Sequence, residues 1–416
     1  MNATRQQQAM QAMNEHIQKI VGNNSNSNSN SNSNSNKNNN NNNINNEGND
    51  KTMDAKWIEM EEVLAKWQSC IVPPASEVKA ISARVCQSLC NVLKAEDFFK
   101  DGKVISYGAS EQNLFFKDSN YNFCFCSANL QLKITDAIQL MADLMKKHTV
   151  FDKVQWTICN NRPVLSFLDT KTSAKCELVI NMTKEVGSSR FIGAYASIDA
   201  RFRSIAIFIK HWTRQNKMFK CFSSYALLLL VINYLQQKRV LPIISTTVEE
   251  SGESEWSRRD DYQININKYR EFASKQTDLS ARLLVGFFHY FGFKFDYQNW
   301  VVSVRTGSNL KKIEKKWAYS SKKNQFAIED PLDSGTNLGR MIDNKLLHAF
   351  QLECANLYQR LCDTQDFYKQ KPFFFLFFCC IPKKKYLFGD ILKAMLYFCL
   401  YISGIMFVFP VLFFFF

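Results

Sequence analysis

From Val104 to Cys126 the chain reads VISYGASEQNLFFKDSNYNFCFC. Val104 to Tyr107 is an apolar run and Gly108-Ala109-Ser110 is turn chemistry; further on, Tyr121, Phe123 and Phe125 alternate with Asn120, Asn122 and Cys124. Alternation with period two marks a strand with one buried face, so the segment predicts strand, tight turn, short helix, strand. Asn120 and Asn122 then project to the same side of the second strand. Pro163 to Leu168 and Cys176 to Ile180 predict further strands around a turn at Asp169 to Ser173. Short strands with helices to one side make a small α/β unit.

Downstream the period changes. Between Asp199 and Met218, Ile205, Phe208, Ile209 and Trp212 fall at helical spacing and mark a buried stripe. Arg203, Lys210, Arg214 and Lys217 form a second, basic face. That face reads either as solvated surface or, since Lys210 and Arg214 lie one turn apart, as a cradle for two phosphates of one triphosphate. Ser223-Ser224-Tyr225 opens an apolar run from Ala226 to Leu235. Serine caps free N–H groups, and the helix N-terminus offers a positive pole to a phosphate. Tyr225 fits either a base-stacking role or the core. Between Leu279 and Arg340, Lys311, Lys312, Lys315 and Lys316 flank Trp317, a pattern that suits a nucleic-acid path or a solvated charged helix.

The flanks differ in composition. Residues 1–50 carry a Gln-rich opening, a Ser-Asn alternation from Asn23 to Asn36 and an Asn run. Such a segment buries too little apolar surface to offset its ordering entropy, so disorder is expected, with self-association as its functional reading. After Lys371 comes a Phe/Cys run, then Lys383 to Lys385, then uncharged residues from Ala394 to Phe416. The stretch 394–416 is long enough to cross a bilayer; translated non-coding sequence and a buried terminal helix are the other readings.

The whole chain bounds the chemistry. Its 416 residues predict two structured units plus extensions. Lys+Arg 52 against Asp+Glu 38 gives a net charge of +14, which suits polyanionic partners. The 13 cysteines include no CxxC pair, the five histidines form no HExxH motif, and the chain opens without an apolar leader. These features point to a reducing, cytoplasmic setting and away from disulfide frameworks and zinc hydrolases.

Taken together the motifs resemble one family, the non-canonical poly(A) polymerases and terminal uridylyltransferases of the DNA polymerase β-like nucleotidyltransferases. The pieces run in family order: Tyr107-Gly108, the 118–126 strand, Cys176 to Asn181, Asp199-Ala200-Arg201, Lys210-His211-Trp212, Ser223-Ser224-Tyr225, Gly286-Phe287-Phe288, Ile328 to Pro331 and Asn337 to Arg340. They cover about residues 55–360. The resemblance implies an α+β fold, with a nucleotidyltransferase α/β domain at 51–182 and a mainly helical central and PAP-associated domain at 183–365 forming a cleft. It implies nucleotide addition to an RNA 3′ end from a nucleoside triphosphate, with Mg²⁺ or Mn²⁺ as cofactor in an active member. By position, Lys210 and Arg214 would hold the β- and γ-phosphates. Gly108, Ala109 and Ser224 would lie at phosphates, Ser188 and Ser189 at the ribose, and Tyr225 on the base. Asp330, Asp333 and Thr336 would read the base edge; a histidine usually accompanies uridylyl transfer at the last position, so Thr336 argues against strict UTP preference.

The family needs three carboxylates for two metal ions. Here those positions are Asn120, Asn122 and Glu177, and a neutral amide is a poor Mg²⁺ ligand. A unit charge pair at 4 Å is worth about 4 kcal/mol at an effective dielectric near 20, so losing two charges against divalent ions predicts a large loss of rate. Ala109 also replaces a family serine, and Asn113 a glycine. Asp118 is either a substitute carboxylate beside Glu177 or a turn residue before the strand. The expected protein is thus a catalytically degenerate relative acting through RNA, nucleotide or protein-partner binding. An active adenylyl or uridylyl transferase with an atypical metal site is the alternative, and a membrane-tethered interaction protein is a third reading that rests on the tail alone.

Overall fold

The computed structural model describes residues 42–216, 219, 222–244, 269–272, 275–319 and 321–363. Of the disorder expected over 1–50, residues 1–41 lie outside the described residues, as do Lys217 of the basic face and the apolar tail 371–416 with its 394–416 span, whereas 42–50 are helical, the start of the helix Asn42–Ile71. Among those described, no helix is long and apolar enough to cross a membrane.

The first body is a five-stranded sheet built from β1 (Lys103–Tyr107), β2 (Tyr121–Cys126), β3 (Phe151–Cys159), β4 (Arg162–Asp169) and β5 (Lys175–Ile180), in the order β1-β2-β5-β4-β3. Only β2 and β5 run parallel. Tyr121, Phe123 and Phe125 bury one face of β2 against Val85 and Leu89 of a helix at Ala75–Leu93 and Ile138 and Met141 of another at Ile134–Lys146. Burying such side chains is worth about 1.5–3 kcal/mol each. On the opposite face, Cys124 and Val179 meet Val186 of the helix Thr183–Ile198, so helices cover both sides of the sheet rather than one.

Asp169 explains the β4–β5 turn. Its buried carboxylate accepts from the Thr172 N–H at 2.8 Å and pairs with Arg84 of the first covering helix. Two expectations for this body change. The strand β3 is absent from the reading above, and no helix forms between β1 and β2. Residues 108–119 instead fold as consecutive turns, with Gln112 N–H bonded to Gly108 O and Leu114 N–H to Ala109 O, both at 3.0 Å.

The second body gathers most of the remaining helices into one core. We label the helices α1 (Asn42–Ile71), α2 (Ala75–Leu93), α3 (Ile134–Lys146), α4 (Thr183–Ile198), α5 (Ala200–Gln215), α6 (Ser224–Gln237), α7 (Ser280–His289) and α8 (Asn344–Asp363). Met60, Val63, Leu64 and Trp67 of α1 follow one helical stripe and enter this core, Trp67 against Phe208 with ring centroids 5.6 Å apart. The unit boundary expected at residue 50 therefore falls inside α1, and residues 51–71 side with the helical body rather than with the sheet. Asp199 caps α5 by accepting from Arg201 N–H at 2.7 Å, and Ser223 caps α6 by accepting from Ala226 N–H at 3.0 Å.

A small sheet completes this body: β6 (Trp300–Val302), β7 (Leu310–Lys311), β8 (Ala327–Asp330) and β9 (Asp333–Asn337), in the order β7-β6-β8-β9. The lysine run after β7 forms turns, not a helix. Lys312 is buried, donates to the carbonyls of Tyr297, Asn324 and Gln325, and is pulled down to about 8 by that burial. Lys315 bonds Glu329 at 2.8 Å and lies over the Trp317 ring. Half of the expected nucleic-acid path is thus structural, which leaves Lys311 and Lys316 on that stretch.

Candidate functional site

The site face of the first sheet begins with the β2–β5 register. Asn122 lies opposite Glu177 in the parallel ladder, and Asn120 stands just ahead of β2, so all three side chains share one face as the alternation requires. Asn120 donates through Nδ2 to Glu177 Oε1 at 2.8 Å. Asn122 Oδ1 is buried without a hydrogen-bond partner in the structure. Gly108, at φ +75°, ends β1 beside this pair; a Cβ there would stand 2.9 Å from Asn122 Nδ2. Both the left-handed backbone and the close approach require glycine.

Ser189, only 2% exposed, accepts from the Gly108 N–H at 2.8 Å and donates to Glu185 O at 2.6 Å. Its hydroxyl is committed to holding the turn, so its structural role differs from the ribose contact expected of it. Ser188 is partly exposed and donates to Glu185 O at 3.0 Å. Ala109 contributes no hydroxyl, and that of Ser110 turns back to Tyr107 O.

The basic face of α5 is solvated only in part, since Arg214 is exposed but Lys210 is buried. Arg203 donates to Asn113 O at 3.0 Å, and Lys210, 8% exposed, donates to Leu114 O at 3.1 Å. Burial, with help from the Arg214 charge, holds the Lys210 ammonium down to about 8. Arg214 lies over the Phe116 ring at 4.9 Å and grips both oxygens of Asp118, at 3.1 and 2.6 Å. Asp118 is thus an exposed turn residue paired with Arg214, and its carboxylate is not a substitute partner for Glu177.

The opposite wall comes from α6 and the β8–β9 hairpin. Ser224 is exposed in the first turn of α6. Tyr225 donates its hydroxyl to Asp330 Oδ1 at 3.0 Å. Burial raises the Asp330 carboxyl above its usual range, Asp333 adding to the rise. Thr336 donates to Asp333 Oδ2 at 2.9 Å, and Lys184 of α4 reaches the same oxygen at 3.3 Å. The structure therefore brings Asp330, Asp333, Thr336 and Tyr225 together. Beneath them Glu329 is fully buried and bonded by Ser303, Arg305 and Lys315.

Sequence reasoning passes over Phe116, Lys184 and Glu329 as individual residues. The Leu114-Phe115-Phe116 run after a turn is the signal for the first. Glu329 stands inside the quoted Ile328 to Pro331 motif, and for Lys184 there is none.

These residues do not fit a two-metal centre. Of the three positions only Glu177 carries a carboxylate, and one of its oxygens already accepts an amide N–H where a cation would need a lone pair. Among the described residues, no three His, Cys, Asp or Glu side chains converge on one point.

The family model for the Cid1-family poly(A) polymerases, their PAP-associated segment, matches residues 281–335. Poly(A) RNA polymerase cid11 of Schizosaccharomyces pombe is 26% identical over 304 residues, which cover 70% of this chain and 60% of that protein. Terminal uridylyltransferase 7 of Homo sapiens is 25% identical over 264 residues, covering 60% of this chain and 17% of that protein. The chain spans 60% and 51% of the length of cid11 and cid13. The solved structure of Cid1 in complex with its short product ApU superposes with a TM-score of 0.59 at 20% identity, covering 73% of this chain and 94% of that one. The Cid1 poly(U) polymerase with Mg and 3′-dATP bound gives 0.57 at 19% identity, with the same coverage. At these identities the superpositions show the fold. With the matched segment and the sequence relatives beside that fold, the chain is similar to the Cid1-type non-canonical poly(A) polymerases and terminal uridylyltransferases.

Proposed function

We propose that this protein is a catalytically degenerate RNA 3′-terminal nucleotidyltransferase that keeps its cleft and acts by binding RNA, a nucleoside triphosphate or a protein partner. The observation that carries the reading is the 2.8 Å hydrogen bond from the Asn120 amide to Glu177. An amide oriented by a carboxylate presents N–H, not oxygen, toward it, so this carboxylate oxygen has a hydrogen-bond partner without a cation. Lys210, Arg214, Ser224 and Tyr225 supply the cations, capped helix and aromatic ring of a triphosphate and base pocket. Asp330, Asp333 and Thr336 line its base-edge wall. The bound forms of Cid1, with ApU and with UMPNPP, support RNA and nucleotide as the ligand classes. A cytoplasmic setting is supported by the described cysteines, all of them unbridged.

The test is primer extension. Full-length protein incubated with an RNA primer, each NTP and Mg²⁺ or Mn²⁺ should add no nucleotide. The double substitution Asn120→Asp with Asn122→Asp should restore addition. Extension by the unaltered chain, abolished by Glu177→Ala, would overturn the reading in favour of an active transferase with an atypical metal site.

A further inference from the structure

Cys124 and Cys126 lie on one face of β2, two residues apart, with their sulfurs 3.4 Å from each other. This is the face of Asn120 and Asn122, opposite the Phe123 and Phe125 core. The backbone N–H of Met182 points at Cys124 Sγ at 3.2 Å. Cys124 is fully buried, while Cys126 is partly exposed and open to a small reagent. The two ladders differ in how they hold this end. Cys124 pairs with Ile105 on one side and Val179 on the other, while the β5 ladder stops at Phe125; past it, Asn181 N–H bonds Phe125 O at 2.8 Å and Asn181 Oδ1 accepts from Ser127 N–H at 2.9 Å, on either side of Cys126.

We propose that Cys124 and Cys126 form a dithiol switch, oxidised by hydroperoxides to an intrastrand disulfide. In the first step the Cys126 sulfur attacks one peroxide oxygen; the O–O bond breaks, an alcohol or water leaves, and Cys126 becomes a sulfenic acid. In the second step the Cys124 sulfur attacks the Cys126 sulfur. The S–O bond breaks, and the departing hydroxide takes the Cys124 proton as water. Two thiols and one hydroperoxide thus yield one disulfide, one alcohol or water, and one further water.

Geometry sets the character of the bond. Two residues along a strand advance about 6.4–6.8 Å, which is the upper end of the Cα separation, about 4.4–6.8 Å, that disulfides span. Closure therefore draws Cys126 back toward Cys124 and leaves a strained bond that thiols reduce readily. The Cys124 sulfur beside it, together with the Arg190 charge, favours the thiolate at Cys126, the more exposed of the two. The inference does not depend on what the cleft binds.

The test uses the full chain, reduced, desalted and treated with hydrogen peroxide, then alkylated, digested and mapped by mass. The peptide carrying both cysteines should escape alkylation, lose the mass of two hydrogen atoms and regain both thiols with dithiothreitol. Cys124→Ser should instead leave a Cys126 sulfenic acid that dimedone traps. Full alkylation of that peptide after peroxide, or independent oxidation of each cysteine to sulfinic acid, would overturn the proposal. Where a substituted chain does not fold, phenylarsine oxide on the unaltered protein serves the same purpose. An arsenical bridging the pair should protect both thiols from alkylation, and unprotected thiols would count against it.

Discussion

Lys210 offers the sharpest quantitative test of the site, because its charge is kept at a cost to the fold. Its ammonium is 8% exposed, has Leu114 O as its hydrogen-bond acceptor, and is held down to about 8 by burial. At about 1.4 kcal/mol for each pH unit, the fall from the usual lysine value corresponds to about 3 kcal/mol of stability lost wherever both folded and unfolded states carry the proton. Lys210→Met removes that penalty and keeps most of the apolar stem against Phe116. Against the gain stands the Leu114 carbonyl, whose lost donor costs about 1–3 kcal/mol. The variant should therefore match or exceed the parent by about 0–2 kcal/mol at pH 7.

The pH dependence fixes the sign. Between about pH 8 and the unfolded value near 10.4, the unfolded chain binds the proton and the folded chain does not, so parental stability rises with pH and the advantage of the variant fades. Urea-unfolding midpoints of both proteins from pH 7 to 10 measure this, and Lys312, common to both, cancels. A variant less stable by more than about 1 kcal/mol at pH 7 would refute the reasoning, as would a difference that does not change with pH.

Three further outcomes follow from the same contacts. Asn120→Asp sets a carboxylate against Glu177 in place of the amide donor, so its melting temperature should fall in a chelator and recover with millimolar Mg²⁺, read by thermal shift. Glu329→Ala leaves Lys315 unpaired beneath the β8–β9 hairpin and should cost about 3–5 kcal/mol in urea unfolding. Burial alone would raise the Glu329 carboxyl, but Lys315, Ser303 and Arg305 hold it below the usual range; its contribution is therefore present above the ordinary glutamate value and lost as pH falls through the lower folded one. Gly108→Ala, at φ +75° and against Asn122, should lower stability by about 1–3 kcal/mol and shift the Asn122 side-chain amide resonances in NMR.

The alternation over 121–126 is enough to place β2 and to set Asn120 and Asn122 on one face, because burial of Phe123 and Phe125 permits only one register. Caps at Asp199 and Ser223 mark α5 and α6 for a similar reason: few residues satisfy a free helix N-terminus. β3 escapes notice although Val154, Trp156 and Ile158 alternate with Gln155 and Thr157, because it is an edge strand exposed along most of its length and its register is broken between Asp152 and Gln155. The burial of Lys210 and Arg203 is equally hidden. A basic stripe at helical spacing looks solvated until the 113–116 segment, distant in sequence, is laid across it. Asp118 and Ser189 show the same limit, since their partners Arg214 and Gly108 lie 96 and 81 residues away.

The placement of α1 in the helical core has a mechanical corollary. From α1 the chain crosses to the sheet through Val72-Pro73-Pro74 and crosses back at Asn181-Met182 between β5 and α4. Besides these two crossings, one of them stiffened by consecutive prolines, Ser189, Arg203 and Lys210 bond Gly108, Asn113 and Leu114 of the turns between β1 and β2. Like stitches along a seam, these bonds share the load, so the sheet cannot shift against the helices without breaking them together.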